Sequence, residues 1–194
     1  MSHDGRRLVN VVGERVALGP LQREVAPLFA VWMNAFATQR SAGFPPSPEP
    51  WPAERVGRWL DGVLADARRV WFAIYETAEW RVVGHTNLRD IDHEHGTAEF
   101  GITVGDPADR GKGYGSEATR LLLGYAFTTL GLSNVLLDVL AFNQAGIRAY
   151  ERAGFKEIGR RREAFVDGDR VWDVVFMDCV VGEFGSVGGD ARQA

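Results

Sequence analysis

A single cysteine, four histidines and no excess of basic residues set the first limits on this chain of 194 residues. Cys179 cannot close an internal disulfide, and it stands in the apolar run VVFMDCVV. It therefore reads as a buried structural thiol in a reducing compartment, not a nucleophile. Lys and Arg number 22 against 26 Asp and Glu, and no basic run occurs. That balance argues against a partner such as nucleic acid or an anionic membrane, and it suits a cationic small substrate. No apolar stretch approaches the roughly 18 residues needed to span a bilayer, and MSHDGRRLVN lacks the apolar centre of a secretory signal, so a cytoplasmic location is expected. His93 and His95 lie two apart on a turn, with no further ligand at recognisable spacing, so no metal is expected.

What the sequence does hold is one domain of ordinary composition over residues 1–182, with a mobile tail at 183–194. LVNVVGERVALGPL reads as a first strand broken by Gly13. Apolar residues at helical spacing predict a helix from Gln22 to Ala37 and a second from Ala53 to Ala67. Between them SAGFPPSPEPWP, with five prolines, is an irregular loop. Three strand-like runs follow, VWFAIYE, WRVVGHTNLRDI and TAEFGITV, joined by turns of hairpin length as an antiparallel meander. A helix from about Gly113 to Thr129 leads into NVLLDVLAF, a strand apolar nearly throughout and so expected at the centre of the sheet. A short helix, Gln144–Ala153, ends at Gly154, and two terminal strands meet at Asp167-Gly168, a type I′ hairpin signal. The class is α+β: a mixed, mostly antiparallel sheet flanked by about four helices.

The segment DPADRGKGYGSEATRLLLGYAF, Asp106–Phe127, sets three alternate glycines, Gly111, Gly113 and Gly115, at the mouth of a helix directly after a strand. A helix start offers unpaired N–H groups and about half a positive charge, so it holds a phosphate wherever no side chain intervenes. Arg110 and Lys112 add cationic character beside the same amides. The spacing fits neither a Walker loop nor a G-x-G-x-x-G dinucleotide fingerprint. A tight strand-to-helix connection is the competing reading for the glycines alone.

Arg110, Gly113 and Gly115 meet an R/Q-x-x-G-x-G/A signature. With AEFGI, RGKGYGSEA, NQAGIRAYERAGF and AFVDGDRVWDV in that order, the chain from about Val70 to Val180 resembles the GNAT acetyl-CoA-dependent N-acetyltransferases. It is similar especially to the RimL-like branch and the bacterial spermidine N-acetyltransferases. The resemblance implies a V-shaped opening between the strands at Thr97–Val104 and Asn134–Phe142, with acetyl-CoA as co-substrate. It implies that amides from Arg110 through Gly111, Lys112, Gly113, Tyr114 and Gly115 to Ser116 hold the pyrophosphate. It also implies that Ile102, Thr103 and Val104 pair with the pantetheine arm, and that Asn143 faces the cofactor. The position of the family's general acid is matched by Tyr150, seven residues after Asn143, although a tyrosine in a short amphipathic helix more often packs than reacts.

Such chemistry needs a base, because a primary amine near pKa 10.4 is almost all ammonium at neutral pH. Glu99 is the candidate, acting through water; a carboxylate on the solvent face of the strand is the competing reading. A backbone N–H near Val104 is the expected oxyanion donor. Full proton transfer from a tyrosine near pKa 10 to a thiolate near 8.5 is uphill by about 2 kcal/mol, so Tyr150 either gives its proton late or has a lowered pKa. Arg160–Arg162 reads as a charged strand edge before it reads as a contact to the CoA 3′-phosphate. Asp173, which recurs in the family pattern, reads as a satisfied structural acid. The expected acceptor is a small amine, with a polyamine placed between the loop Ser41–Pro52, including Phe44 and Trp51, and the hairpin acids Asp90, Asp92 and Glu94. Rival readings are acetylation of a protein N-terminus, acetylation of a drug amine and a non-catalytic acyl-CoA sensor. Similar proteins are often dimers and the terminal strands offer pairing edges, which favours a homodimer.

Overall fold

The computed structural model describes residues 8–41, 43 and 49–185. The predicted meander forms as β3 (Val70–Glu76), β4 (Val82–Asp92) and β5 (Thr97–Val104), antiparallel in register Ala73↔His85 and Leu88↔Phe100. The N-terminal stretch is not one broken strand. It reverses at Gly13–Arg15 into a hairpin of β1 (Val11–Val12) and β2 (Val16–Pro20), and β2 pairs with β3. β6 (Asn134–Leu140), β7 (Lys156–Asp167) and β8 (Arg170–Val180) complete an eight-stranded sheet in the order β1-β2-β3-β4-β5-β6-β8-β7. β5 and β6 are its parallel pair, and their ladder is short: Thr97↔Asn134, Ala98↔Val135 and Glu99↔Leu136.

Side chains alternate across the sheet and build two cores. One face packs Phe72, Ile74, Leu88, Phe100, Val135 and Leu137 against α4 (Tyr114–Thr128) and α5 (Gln144–Ala153). The opposite face carries Ala73, with Trp71 and Tyr75 beside it, under α1 (Ala26–Asn34) and α3 (Ala53–Ala65). α5 has the bounds its sequence predicts, with Gly154 left-handed at φ 115 as its C-cap.

The helix expected over 22–37 is divided. A 3-10 turn at Arg23–Val25 precedes α1, Ala35 is extended (ψ 107), and α2 covers Phe36–Ser41. Asn34 gives the reason. Its Nδ2 donates to Ala30 O and to Trp51 O, and its Oδ1 accepts from Trp51 N at 2.8 Å, so the side chain ties the helix end to the far side of the proline-rich loop.

The terminal hairpin is shifted by one residue from its sequence signal. Asp167 pairs with Arg170, so Gly168-Asp169 is the two-residue loop, and of these two residues Gly168 alone has positive φ, the type II′ pattern and not type I′. After β8, α6 (Val181–Phe184) sets Phe184 against Phe127, with ring centroids 5.3 Å apart; residues 186–194 of the expected tail lie outside the described residues.

Candidate active site

Between β5 and α4 the chain is held by a buried acid. Asp109 is 4% exposed; Arg81 donates to both its oxygens at 2.6 Å and Lys112 Nζ donates to Oδ1 at 3.0 Å. The Arg81 guanidinium is the main reason that the Asp109 carboxyl is pulled down to about pKa 2. Arg110 also points inward, donating to Thr38 Oγ1 (3.1 Å) and Val104 O (3.4 Å), while Thr38 Oγ1 donates to Gly105 O (2.9 Å). Burial pulls the Arg110 pKa down. Arg110 therefore braces the turn from within, and what the turn presents outward is backbone.

Gly111 and Gly113 sit at φ +76 and +88, where side chains are rarely tolerated, and nothing stands within 4 Å of a Cβ placed on Gly111. Gly113 is the N-cap of α4 and offers no side chain to cap it, so the first-turn amides at Tyr114, Gly115 and Ser116 are open to an outside acceptor. A Cβ on Gly115 would meet only Val104 Cγ2, at 3.7 Å. The fold itself does not demand glycine there, whereas an anion approaching those amides does. Acetyl-CoA is thus matched by an uncapped helix start with the room its pyrophosphate requires.

Beyond Glu99 and Leu136 the two parallel strands have no ladder, and this is the predicted V. Within it, Gly105 N donates to Val83 O at 3.0 Å, and Gly101 O accepts from Thr86 Oγ1, so the odd residues of β5 turn their backbone groups toward β4. By the alternation of an antiparallel ladder, the groups of Ile102 and Val104 point into the gap. Thr103, expected with them, instead directs its carbonyl to β4, where it faces Gly84.

At the apex of the V, Arg89 on β4 reaches two carboxylates: it hydrogen-bonds Glu99 on β5 and lies 3.5 Å from Asp138 on β6. Burial and the neighbouring Glu99 push the Asp138 carboxyl up, and Arg89 opposes them. Tyr150 on α5 packs edge-on to Phe100 (5.9 Å) and Phe155 (6.0 Å), and burial, with the Asp138 charge second, pushes its hydroxyl up to about 12. Burial thus works against a lowered Tyr150 pKa: the ring sits in an apolar wall that disfavours phenolate.

Other expected residues stand elsewhere. Asn143 is the N-cap of α5, its Oδ1 accepting from Gly146 N at 2.9 Å, and it lines a pocket with Ala37, Arg40 and Phe142 at the open end of β6. Asp92 accepts from Glu94 N and His95 N, which pull its pKa down, so it organises the β4–β5 turn at the closed end of the V. Asp90 occupies a bulge at φ 50. That turn is about 23 Å along β5 from Val104. The described flanks of the proline-rich loop meet the other end: Arg40 pairs with Asp167 and lies over Phe142, and a Cβ on Gly43 would touch Leu140. The hairpin acids and the described flanks of the loop therefore lie at opposite ends of the V. Trp51 carries the Arg55 guanidinium over its ring, and Phe44 lies outside the described residues. Asp173 accepts from Glu163 N at 3.0 Å across a bulge, as a structural acid does. Arg160 pairs with Glu157 on β7, the terminal strand of the sheet.

A family model described as an acetyltransferase (GNAT) domain matches residues 15–156. The chain belongs to the GNAT acetyltransferases. Among GNAT relatives, it is 34% identical to the spermidine N(1)-acetyltransferase of Vibrio cholerae over 104 residues, which cover 54% of this chain and 60% of that protein. It is 28% identical to human alpha/beta-tubulin-N-acetyltransferase 9 over 160 residues, covering 76% and 75%. The match thus spans about three fifths of the Vibrio protein's length. The crystal structure of spermidine N-acetyltransferase from Vibrio cholerae with CoA and spermine shares the fold at a TM-score of 0.79 and 24% identity, covering 88% of this chain and 98% of that one. Sequence reasoning on this GNAT chain missed Arg81, Arg89, Asp109 and Asp138. Only Asp138 had a visible signal, a lone charge inside an otherwise apolar strand.

Proposed function

We propose that this protein transfers an acetyl group from acetyl-CoA to the primary amine of a small molecule, by direct attack in a ternary complex. The observation that carries the reading is the convergence on one gap of three features: the unladdered edges of β5 and β6, the uncapped start of α4, and an acid cluster next to Tyr150. When bound, acetyl-CoA supplies the thioester that the amine attacks. The Arg110 amide is spent on Pro107 O, so the expected set narrows to the amides from Gly111 to Ser116, which hold its pyrophosphate, and the backbone groups of Ile102 and Val104 align its arm as a neighbouring strand would. In this reading the Val104 N–H is the donor to the developing negative charge.

Tyr150 stays protonated and donates a hydrogen bond to the departing sulfur. With its hydroxyl at about 12, full transfer to a thiol near 8.5 is uphill by about 5 kcal/mol, so hydrogen bonding and not proton delivery is its part in the reaction. Glu99, with Asp138 beside it, forms the acidic floor that receives the acceptor's positive charge and proton.

A polyamine is the acceptor best supported, by the spermidine-acetylating relative and by a floor with more carboxylate than guanidinium. A peptide N-terminus is the second reading, favoured by the longer match to the tubulin acetyltransferase. Residues 1–182 act as one catalytic domain in a cytoplasmic protein that pairs as a homodimer through its terminal strands. Free-thiol release from acetyl-CoA with spermidine, aryl and alkyl amines, and short peptides tests the reading. Efficient turnover of a small amine is expected; release with peptides alone, or none with any acceptor, overturns it.

A further inference from the structure

Of the two carboxylates at the apex, Glu99 belongs to the last rung of the β5–β6 ladder, whereas Asp138 lies two residues further along β6, where no strand faces it across the gap. A strand rises about 3.3 Å per residue, so Asp138 stands roughly 7 Å into the open part of the V. It lies on the sheet face that Arg89 and Glu99 share, and its field reaches Tyr150 across the gap. The guanidinium is committed to Glu99 by a hydrogen bond and approaches Asp138 only at 3.5 Å. Two carboxylates and one guanidinium leave one negative charge unbalanced, and Asp138, with the weaker cationic partner and Glu99 within hydrogen-bonding reach, is the carboxylate that takes up a proton more readily. The Asp138 side chain keeps 46% of its exposure, enough for an incoming ligand to touch it and for a proton to return to solvent.

We infer that Asp138 is the catalytic residue that seats the acceptor ammonium and takes its proton, with Glu99, fixed by Arg89, as the standing charge beside it. This deepens the amine-acetylation reading and rests on it. One proton passes from the substrate nitrogen to the Asp138 carboxylate. The freed lone pair forms the new C–N bond and the C–S bond breaks, its electron pair going to sulfur. The second nitrogen proton ends on that sulfur or on water, and Asp138 releases its own to solvent. An elevated carboxyl pKa helps, since it narrows the mismatch with an ammonium. The charged and titratable groups facing Asp138 are Arg89 from β4, Glu99 from β5 and Tyr150 from α5; β8 sets the apolar Phe176 opposite it.

The test compares Asp138→Asn and Glu99→Gln with the unaltered protein, using spermidine and a simple alkyl amine. Acetyl-CoA calorimetry serves as the control for folding, and carbon-13 NMR follows the Asp138 carboxyl. In the unaltered protein kcat/KM falls as pH falls through the Asp138 pKa, because the protonated acid cannot accept. Asp138→Asn is expected to lower kcat/KM about 100-fold or more and to erase that acid limb, with acetyl-CoA affinity unchanged. Glu99→Gln is expected to keep the limb and move it, with the carboxyl resonance, to lower pH, because a like charge is removed and Arg89 is released to Asp138. If Asp138→Asn stays within about threefold and keeps the limb, or if Glu99→Gln is the variant that loses it, Asp138 is not the acceptor of the proton and the acetyltransferase reading stands. No turnover of either amine by the unaltered protein overturns the small-amine reading and this proposal together.

Discussion

Replacing Tyr150 by phenylalanine removes one hydroxyl and leaves its surroundings in place. The edge-on contacts to Phe100 and Phe155 are made by the ring, so packing and α5 should survive. The hydroxyl, pushed up to about 12 by burial and by Asp138, is fully protonated throughout the working pH range and gives a hydrogen bond to a sulfur that gains charge as it leaves. Hydrogen bonds to charged groups contribute about 1.5–3 kcal/mol. The expected fall in kcat is therefore roughly 10- to 150-fold, with acetyl-CoA affinity unchanged because the bond strengthens only as charge develops. Thiol-release kinetics at saturating amine, with solvent viscosity used to show that chemistry is rate-limiting, give kcat; calorimetry gives the affinity. The sign of the pH dependence also follows: a raised pKa keeps the donor protonated, so no loss of rate traceable to Tyr150 occurs between about pH 7 and 10. A fall in kcat under about threefold, or a basic limb below about pH 10 that vanishes in Tyr150→Phe, would refute this reasoning.

Gly113→Val places a branched side chain at φ +88, with a Cβ 2.6 Å from Arg15 Nη1, and distorts the turn that presents the α4 amides, so acetyl-CoA binding measured by calorimetry should be lost while Arg110→Ala only weakens it. Asp109→Asn removes the acid that joins Arg81 to Lys112; with its pKa held near 2, the carboxylate's contribution is present above about pH 4 and is lost as pH falls through 2. The shift is equivalent to about 2 kcal/mol, so thermal melts at pH 7 should show the midpoint down by about 5 °C, with the difference between the two proteins closing toward pH 2. His85, half-buried between Phe29 and Trp71 and pushed down to about 4 by desolvation, destabilises the fold as pH drops from 6.5 to 4, because the unfolded chain binds the proton first. His85→Gln should flatten the stability curve in that window, and an unchanged curve would contradict the burial assigned to His85.

The elements whose signals are local were legible in the sequence. Gly154 closes α5 at the predicted residue, the meander lies where strand-like runs and short turns put it, and Gly111 and Gly113 form the turn that leads into α4, as their place between a strand and a helix implied. The features that were hidden depend on partners far away in the chain. Ala35 interrupts a continuous apolar helical pattern because Asn34 is engaged by Trp51, 17 residues on. Asp109 reads as one turn acid among several until Arg81, 28 residues earlier, folds over it. The Asp167-Gly168 signal was right about the reversal and wrong by one residue in register, which the long β7–β8 ladder decides. Asp138 was passed over because apolar neighbours marked its strand as central. Only the parting of β5 from β6, a tertiary property, gives that residue a gap to face.

Amide hydrogen exchange with and without acetyl-CoA tests most directly whether the V and the start of α4 are the binding site. Protection should appear at Ile102 and Val104 and along 111–116, with Arg110 unchanged because its amide already serves Pro107 O, Thr103 unchanged because its backbone groups already serve β4, and α3 unaffected on the opposite face of the sheet. Acetyl-CoA protection confined to other segments, with 111–116 exchanging as in the free protein, would contradict the account.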